Sequence, residues 1–236
     1  IALNAKTGTP VAGFGKSGIV DLKLEDDQQM DLIAGEVGLH ATPVVAKDVV
    51  IIGAAHLPGG VPKSKRNEKG FVRGYDVRTG KRLWIFHTIP SPGEFGNDTW
   101  ENDSSPNTGN AGVWGQISVD EELGLAYLPV EAPTGDYYGG HRPGAGLFGE
   151  SLVAVDLKTG KLKWHYQQIH HGIWYWDIPC APILADVTVN GRRIKVVAQP
   201  TKHHLARDGH SQGHAQHKSR PLRADTLIGQ VRYQAG

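Results

Sequence analysis

Cys180 is the only cysteine in 236 residues, so no intrachain disulfide can form and no cysteine-based zinc site is available. An excess of charge of one sign is also missing. The 25 basic and 24 acidic residues leave a formal net charge of +1, which gives no electrostatic case for binding nucleic acid or an anionic membrane. The basic stretch from Lys63 to Lys69 reads as a solvated loop. No apolar run is long enough to cross a bilayer. The chain opens on Ile-Ala-Leu-Asn, without Met and without a charged-then-apolar leader, and is therefore expected to be a piece of something longer.

What is present points to β structure. Hydrophobic residues make up 39% of the chain, enough for a substantial core, and the 31 Gly and 14 Pro lie between short β-branched runs. Internal repetition then sets the fold. GFVRGYDVRTGKRLWIF (Gly70 to Phe86) aligns without gaps on ESLVAVDLKTGKLKWHY (Glu150 to Tyr166). Asp76, Thr79, Gly80, Lys81 and Trp84 recur as Asp156, Thr159, Gly160, Lys161 and Trp164, and a weaker copy around Asn4, Thr7 and Gly8 opens the chain.

Each copy reads as strand, tight turn, strand. Asp or Asn can bond its own backbone two residues on, Gly supplies the positive φ that closes the turn, and Trp offers a large face to a neighbouring unit. After each copy comes a second apolar strand pair, at 41–55, 113–130 and 180–200. Four strands per unit, repeated every 70 to 80 residues by the alignment above, predict blades of a β-propeller.

The paired Asp-x-x-Thr-Gly-Lys-x-x-Trp copies resemble those of the pyrroloquinoline quinone (PQQ) dehydrogenases, eight-bladed propellers with a docking Trp in each blade. The resemblance covers residues 1–202. It is nearest to the quinoprotein glucose dehydrogenases through RGYDVRTGKRLW, LPVEAPTGDYYGGHRPG, HHGIW and DIPCAPILADVTVNG. It implies an all-β partial propeller of about three four-stranded blades, with the remaining blades absent. It also implies PQQ with Ca²⁺ or Mg²⁺ as cofactors, and a sugar (glucose-like) or alcohol hydroxyl oxidised by hydride transfer to the quinone. Electrons would pass on to a quinone or cytochrome acceptor, in the periplasm or another extracytoplasmic place.

The resemblance also assigns residues. Trp114 matches the indole that floors the PQQ ring, Thr134 a hydrogen bond to the cofactor, and Lys202 the cation that meets the quinone oxygens. The carboxylate base of the family follows the Trp of HHxxW. Here Trp174 is followed by Tyr175, whose ordinary pKa of about 10 makes it a poor base at neutral pH. Asp177 lies two residues further on, where in a strand it would share a face with Tyr175, and is the substitute on offer. His170 and His171 are expected to line or support the site, since Ca²⁺ and Mg²⁺ prefer oxygen ligands. Glu131, Asp136 and Asp98 are loop carboxylates within possible reach of a metal.

The pattern stops at His203, and residues 203–236 form a divergent tail with five His between His203 and His217. That tail has no hydrophobic alternation and no Trp, so it is expected to be disordered or out of frame. A second expectation stands beside the enzyme: a non-catalytic PQQ-repeat propeller segment, acting as scaffold or left as an inactive remnant.

Overall fold

The repeated turns form as their residue types dictate. In a computed structural model, which describes residues 1–35, 37–38, 42–56, 66–135, 137–189 and 191–201, Asp76 Oδ1 accepts the backbone N–H groups of Arg78 (3.1 Å) and Thr79 (2.7 Å). Asp156 does the same with Lys158 and Thr159, and Asn4 with Lys6 and Thr7. In all three copies the Gly N–H returns to the carbonyl of the Asp or Asn at 2.8 Å, with Gly φ between 66° and 70°. The hydrogen bonds from Thr79 hold the Asp76 carboxyl below the usual carboxylate range.

Among the described residues there are twelve strands, all paired antiparallel. β1 (Val37–Gly38) pairs with β4 (Ala55–His56) in a short ribbon. β2 (Val44–Ala46), β3 (Val49–Ile52), β5 (Val72–Asp76) and β6 (Arg82–Phe86) form one four-stranded meander. β7 (Ser118–Asp120), β8 (Leu125–Val130), β9 (Ser151–Asp156) and β10 (Leu162–Gln167) form a second. β11 (Ile183–Val189) and β12 (Arg192–Ala198) pair as the opening hairpin of a third. Only two short 3-10 turns, at Asn97–Thr99 and Glu101–Asp103, interrupt the β structure among the described residues.

The pairing sets the phase of the repeat. β3 bonds to β5 (Ile51 opposite Gly74) and β8 to β9 (Tyr127 opposite Ala154), so each blade is a strand pair followed by an Asp-x-x-Thr-Gly hairpin. Sequence order alone reads the unit the other way round, hairpin first. The first copy, at Asn4 to Gly8, is then the closing turn of a preceding blade.

Packing follows the period of two. Ala126, Leu128, Val130, Val153 and Val155 face the first blade and join Ile51, Val72, Trp84 and Phe86 in one core. Their neighbours Leu125, Tyr127, Leu152 and Ala154 face the other way, onto Val197 and the partly buried Leu184. The middle strands of the second blade are buried on both faces, as blades between two neighbours must be.

Trp84 closes the blade-to-blade contact. Its Nε1 donates to Leu157 O at 3.0 Å, and its ring lies where a Cβ on Gly160 would be, 2.6 Å from Trp84 Cδ2. Phe14 plays the same part on the preceding turn: a Cβ on Gly80 would lie 3.0 Å from its ring, and Gly15 N–H donates to Thr79 O at 2.8 Å. The sequence hides this pairing because the ring falls two residues later than the Trp of the other copies. The N-terminal segment is tied down further by a buried ion pair, Arg73 to Asp26 at 2.8 Å, with burial pushing the Asp26 carboxyl up to about 6 against the pull of Arg73 and Gln28.

Gly160 and Gly124 both sit at positive φ, 66° and 65°, but only Gly160 is covered by an indole. Gly124→Ala is expected to cost only the backbone penalty, about 1–2 kcal/mol. Gly160→Ala should cost about 1–3 kcal/mol more, because the methyl and the ring cannot share the space. Urea denaturation of the two variants checks the difference.

Candidate functional site

The Asp-x-x-Thr-Gly turns lie at one end of the sheets. The long connections 87–117, 131–150 and 168–182 leave from the other, since the start of β9 faces the ends of β8 and β10. These connections bond to each other more than to the sheets. Ala111 N–H donates to Ala132 O, Glu131 N–H to Gly112 O, and Thr134 N–H to Gly109 O. The first and second connections therefore run antiparallel across one another.

Arg142 (3% exposed) is the knot between the second and third. Its Nε donates to Thr134 O at 3.0 Å, and its Nη2 donates to Gly172 O. His171, with a backbone φ of 51°, donates from Nδ1 to Gly144 O at 2.9 Å, which places it as a support of the loop.

Under that loop lie two buried carboxylates. Asp177 is fully buried, and its Oδ1 accepts Ala132 N–H at 3.1 Å. Glu150, the first residue of the second repeat copy, is 1% exposed, at φ 48°, and its Oε2 occupies the space of the side chain that Gly172 lacks: a Cβ there would lie 1.7 Å away. Burial pushes the Glu150 carboxyl up to about 7. The Arg142 guanidinium opposes the rise, the Asp177 carboxylate adds to it, and the N–H groups of Trp176 and Gly172 reduce it. Its Oε1 has no hydrogen-bond partner among the described residues.

The structure places the sequence candidates as follows. Thr134 is half-buried, and its Oγ1 accepts Gly109 N–H at 2.9 Å, leaving the hydroxyl proton to donate. Trp114 is half-buried on the stretch leading into β7, where the next residue, Gly115, lies against Pro179. Trp114, Thr134 and Asp177 thus stand on three segments in mutual contact. Tyr175 is 36% exposed at φ 53°, beside the more exposed Trp174. Glu131 is buried and Asp98 exposed. Lys202, Asp136 and residues 203–236 lie outside the described residues.

Sequence reasoning missed three residues. Arg142 and Glu150 lack any motif of their own, and Lys69 was absorbed into a stretch read as solvated. Lys69 is in fact half-buried, its backbone N–H taken by Gln28 at 2.8 Å and its Nζ donating to Pro106 O at 3.1 Å. Burial, with Arg66 close by, lowers its pKa to about 8.

These features define a class: a run of β-propeller blades whose long connections gather at one end. The chain belongs to the PQQ family described as "Glucose/ethanol/alcohol dehydrogenase, beta-propeller domain", whose model matches residues 1–206. It is 34% identical over 206 residues to the quinoprotein glucose dehydrogenase of Escherichia coli, covering 86% of this chain and 24% of that protein. It is 31% identical over 204 residues to the glycerol dehydrogenase large subunit of Gluconobacter oxydans, covering 86% and 26%. Among solved structures it is similar to the quinohemoprotein alcohol dehydrogenase of Comamonas testosteroni, with 28% identity and a TM-score of 0.59 over 69% of this chain and 25% of that one. The chain spans about a quarter of the length of the curated relatives it matches.

A flat anionic quinone would need an aromatic face, a hydroxyl donor and cations, and Trp114, Thr134 and Lys69 are side chains of those types on or beside these connections. Among the described residues no group of three or more His, Cys, Asp or Glu side chains is arranged to hold a metal ion. No helix among them is long and apolar enough to cross a membrane.

Glu150 has a measurable signature. Its folded pKa of about 7 lies above the ordinary 4.5, so the folded state binds the proton more tightly than the unfolded one. Its cost is absent below about pH 4.5, grows as pH rises, and is complete above about pH 7, where it amounts to about 3 kcal/mol. Glu150→Gln should match the parent in stability at pH 4.5 and exceed it at pH 8. Urea melts across that range check this; an unchanged pH slope in the variant would remove Glu150 as its source.

Proposed function

We propose that the chain is a segment of a PQQ-dependent quinoprotein dehydrogenase that acts outside the cytoplasm on a sugar, glucose-like, or an alcohol hydroxyl and passes electrons to a quinone or cytochrome. The observation that carries this reading is the family match across residues 1–206, joined to blades docked by Trp84 as the repeat requires. When bound, PQQ supplies the hydride acceptor, and Ca²⁺ or Mg²⁺ would polarise it. This chain's residues do the rest. Trp114 would supply the aromatic face for the cofactor, Thr134 a hydroxyl donor, since its oxygen already accepts Gly109 N–H, and Lys202, after β12 in the sequence, a cation. The substrate hydroxyl proton needs a carboxylate, and Asp177 is the one that follows the HHxxW motif here.

A second reading, a propeller segment that keeps the frame without turnover, is favoured by two facts. Tyr175 stands where the base of the family is expected, and the Asp177 carboxylate is fully buried with Oδ1 engaged by Ala132 N–H. To take a proton from substrate, Asp177 would have to leave that bond.

One titration separates the two readings. The purified chain is mixed with PQQ and Ca²⁺ or Mg²⁺, binding is followed by tryptophan fluorescence, and dye-linked glucose oxidation is measured before and after Tyr175→Asp. Turnover by the parent, lost in Asp177→Asn, supports Asp177 as base. Binding without turnover, with a gain of about 10² to 10⁴ in Tyr175→Asp, supports the frame without a base. Absence of PQQ binding under all conditions would overturn the cofactor assignment for this chain.

A further inference from the structure

The segment from His171 to Asp177, which carries Tyr175, is fastened to the second connection by bonds along its length. His171 donates from its backbone N–H to Ala145 O at 3.2 Å and from Nδ1 to Gly144 O. Arg142 Nη2 donates to Gly172 O, the Gly172 and Trp176 N–H groups donate to the Glu150 carboxyl, and Asp177 Oδ1 accepts Ala132 N–H. The outer side of the segment is open to solvent, with Trp174 66% exposed. We propose that this segment is a proton-operated latch whose catch is Glu150: the protonated carboxyl keeps it shut on the second connection, and the ionised one lets it open and frees Asp177 from Ala132.

The geometry makes Glu150 the catch. Its Oε2 fills the space over Gly172, where a Cβ would lie 1.7 Å away, so the carboxyl keeps its seat only while a bare glycine covers it. The side chain is cut off from solvent, and Oε1 has no hydrogen-bond partner among the described residues. A carboxylate in that place is short of donors, and a proton removes the charge that burial penalises. The charged groups that bear on it pull in opposite directions: Arg142, from the second connection, favours the ionised form, and Asp177, from the segment itself, repels it. Glu131 meets Glu150 through its carbonyl, which accepts the Glu150 N–H at 3.2 Å, and His171, beside Gly172, is turned to Gly144 O. Gln168, just past β10, gives its N–H to Glu150 O and brings no charge.

Opening returns Glu150 to water, and linkage then fixes the direction of the response. Shut, the carboxyl titrates at about 7; open, it returns toward the ordinary 4.5. The shut form binds the proton more tightly, so its advantage is full below about pH 4.5, declines as pH rises, and is gone above about pH 7. That difference raises the opening equilibrium by about 10²-fold across the window. The moving part is bounded by two fixed points, the Gln168 to Glu150 backbone bond before it and the buried Ile178 after it.

The latch regulates the site of the proposed dehydrogenase, since Asp177 can take a proton from substrate only when released from Ala132, and it rests on that reading for its purpose. Its existence needs neither PQQ nor metal, so the two can fail separately. Amide hydrogen exchange of the full chain, with neither added, tests it. Gly172, Trp176 and Ala132 are expected to exchange through an opening insensitive to dilute urea, as local openings are. Their protection, corrected for the intrinsic rate, should fall by about 10- to 10²-fold from pH 5 to pH 8. Glu150→Gln should hold the pH 8 protection at the level seen at pH 5, while urea-sensitive exchange of the β8 and β9 amides shows that the variant is folded. Exchange of the three amides only together with β8 and β9, or the same pH dependence in Glu150→Gln, would overturn the proposal. A pH-gated latch in a chain that never binds PQQ would leave this inference standing and remove the dehydrogenase; PQQ binding with pH-independent protection would do the reverse.

Discussion

The contact between the Trp84 indole and the bare Cα of Gly160 governs the rest of the molecule. An indole buries as much apolar surface as any side chain, and it does so here across two sheets that share no strand hydrogen bonds. Because Gly160 is already forced to positive φ by the turn, the residue that allows the hairpin also makes room for the next blade's anchor. Local geometry and long-range packing thus rest on the same glycine, which is why the Thr-Gly pair and the Trp recur together along the chain.

Docking the blades at their turn ends decides what happens at their other ends. With the sheets held side by side, the connections 87–117, 131–150 and 168–182 are brought against one another, and they are stitched by backbone bonds and by Arg142. Two buried carboxylates, Glu150 and Asp177, sit within that stitching, with Arg142 opposing the rise in the Glu150 pKa. Asp177 engages the Ala132 amide through Oδ1, while Glu150 Oε1 finds no partner among the described residues. His171, Tyr175 and Glu150 all hold positive φ at this end of the blades.

Much of the fold was legible in the sequence because turn chemistry and strand alternation are local. The Asp76 and Asp156 turns, their Asn4 counterpart and the three strand pairs can be read from a few neighbouring residues each. The phase of the repeat could not be, since a meander of hairpins reads the same whichever pair comes first and only the β3–β5 and β8–β9 bonds decide it. The docking partner of Trp84 was legible as a need and not as an address. At the site, Trp114 and Thr134 were found through likeness to a family. Arg142, Glu150 and Lys69 were not, because their roles depend on burial by segments 20 to 40 residues away, such as Gln28 against Lys69 and Gly172 against Glu150.

Trp164 is the counterpart of Trp84 one blade on, packed on Tyr127 at a ring separation of 5.9 Å, but its buried Nε1 has no acceptor among the described residues. In a stack where each unit leans only on its neighbours, stability is a sum of units and interfaces, and opening starts where an interface is missing. Among the described residues the β11–β12 hairpin packs on the second blade through Val197 and Leu184, as that blade packs on the first. A surface that seats the Trp164 indole would therefore steady the 168–182 connection, which joins β10 to β11, without touching a ligand.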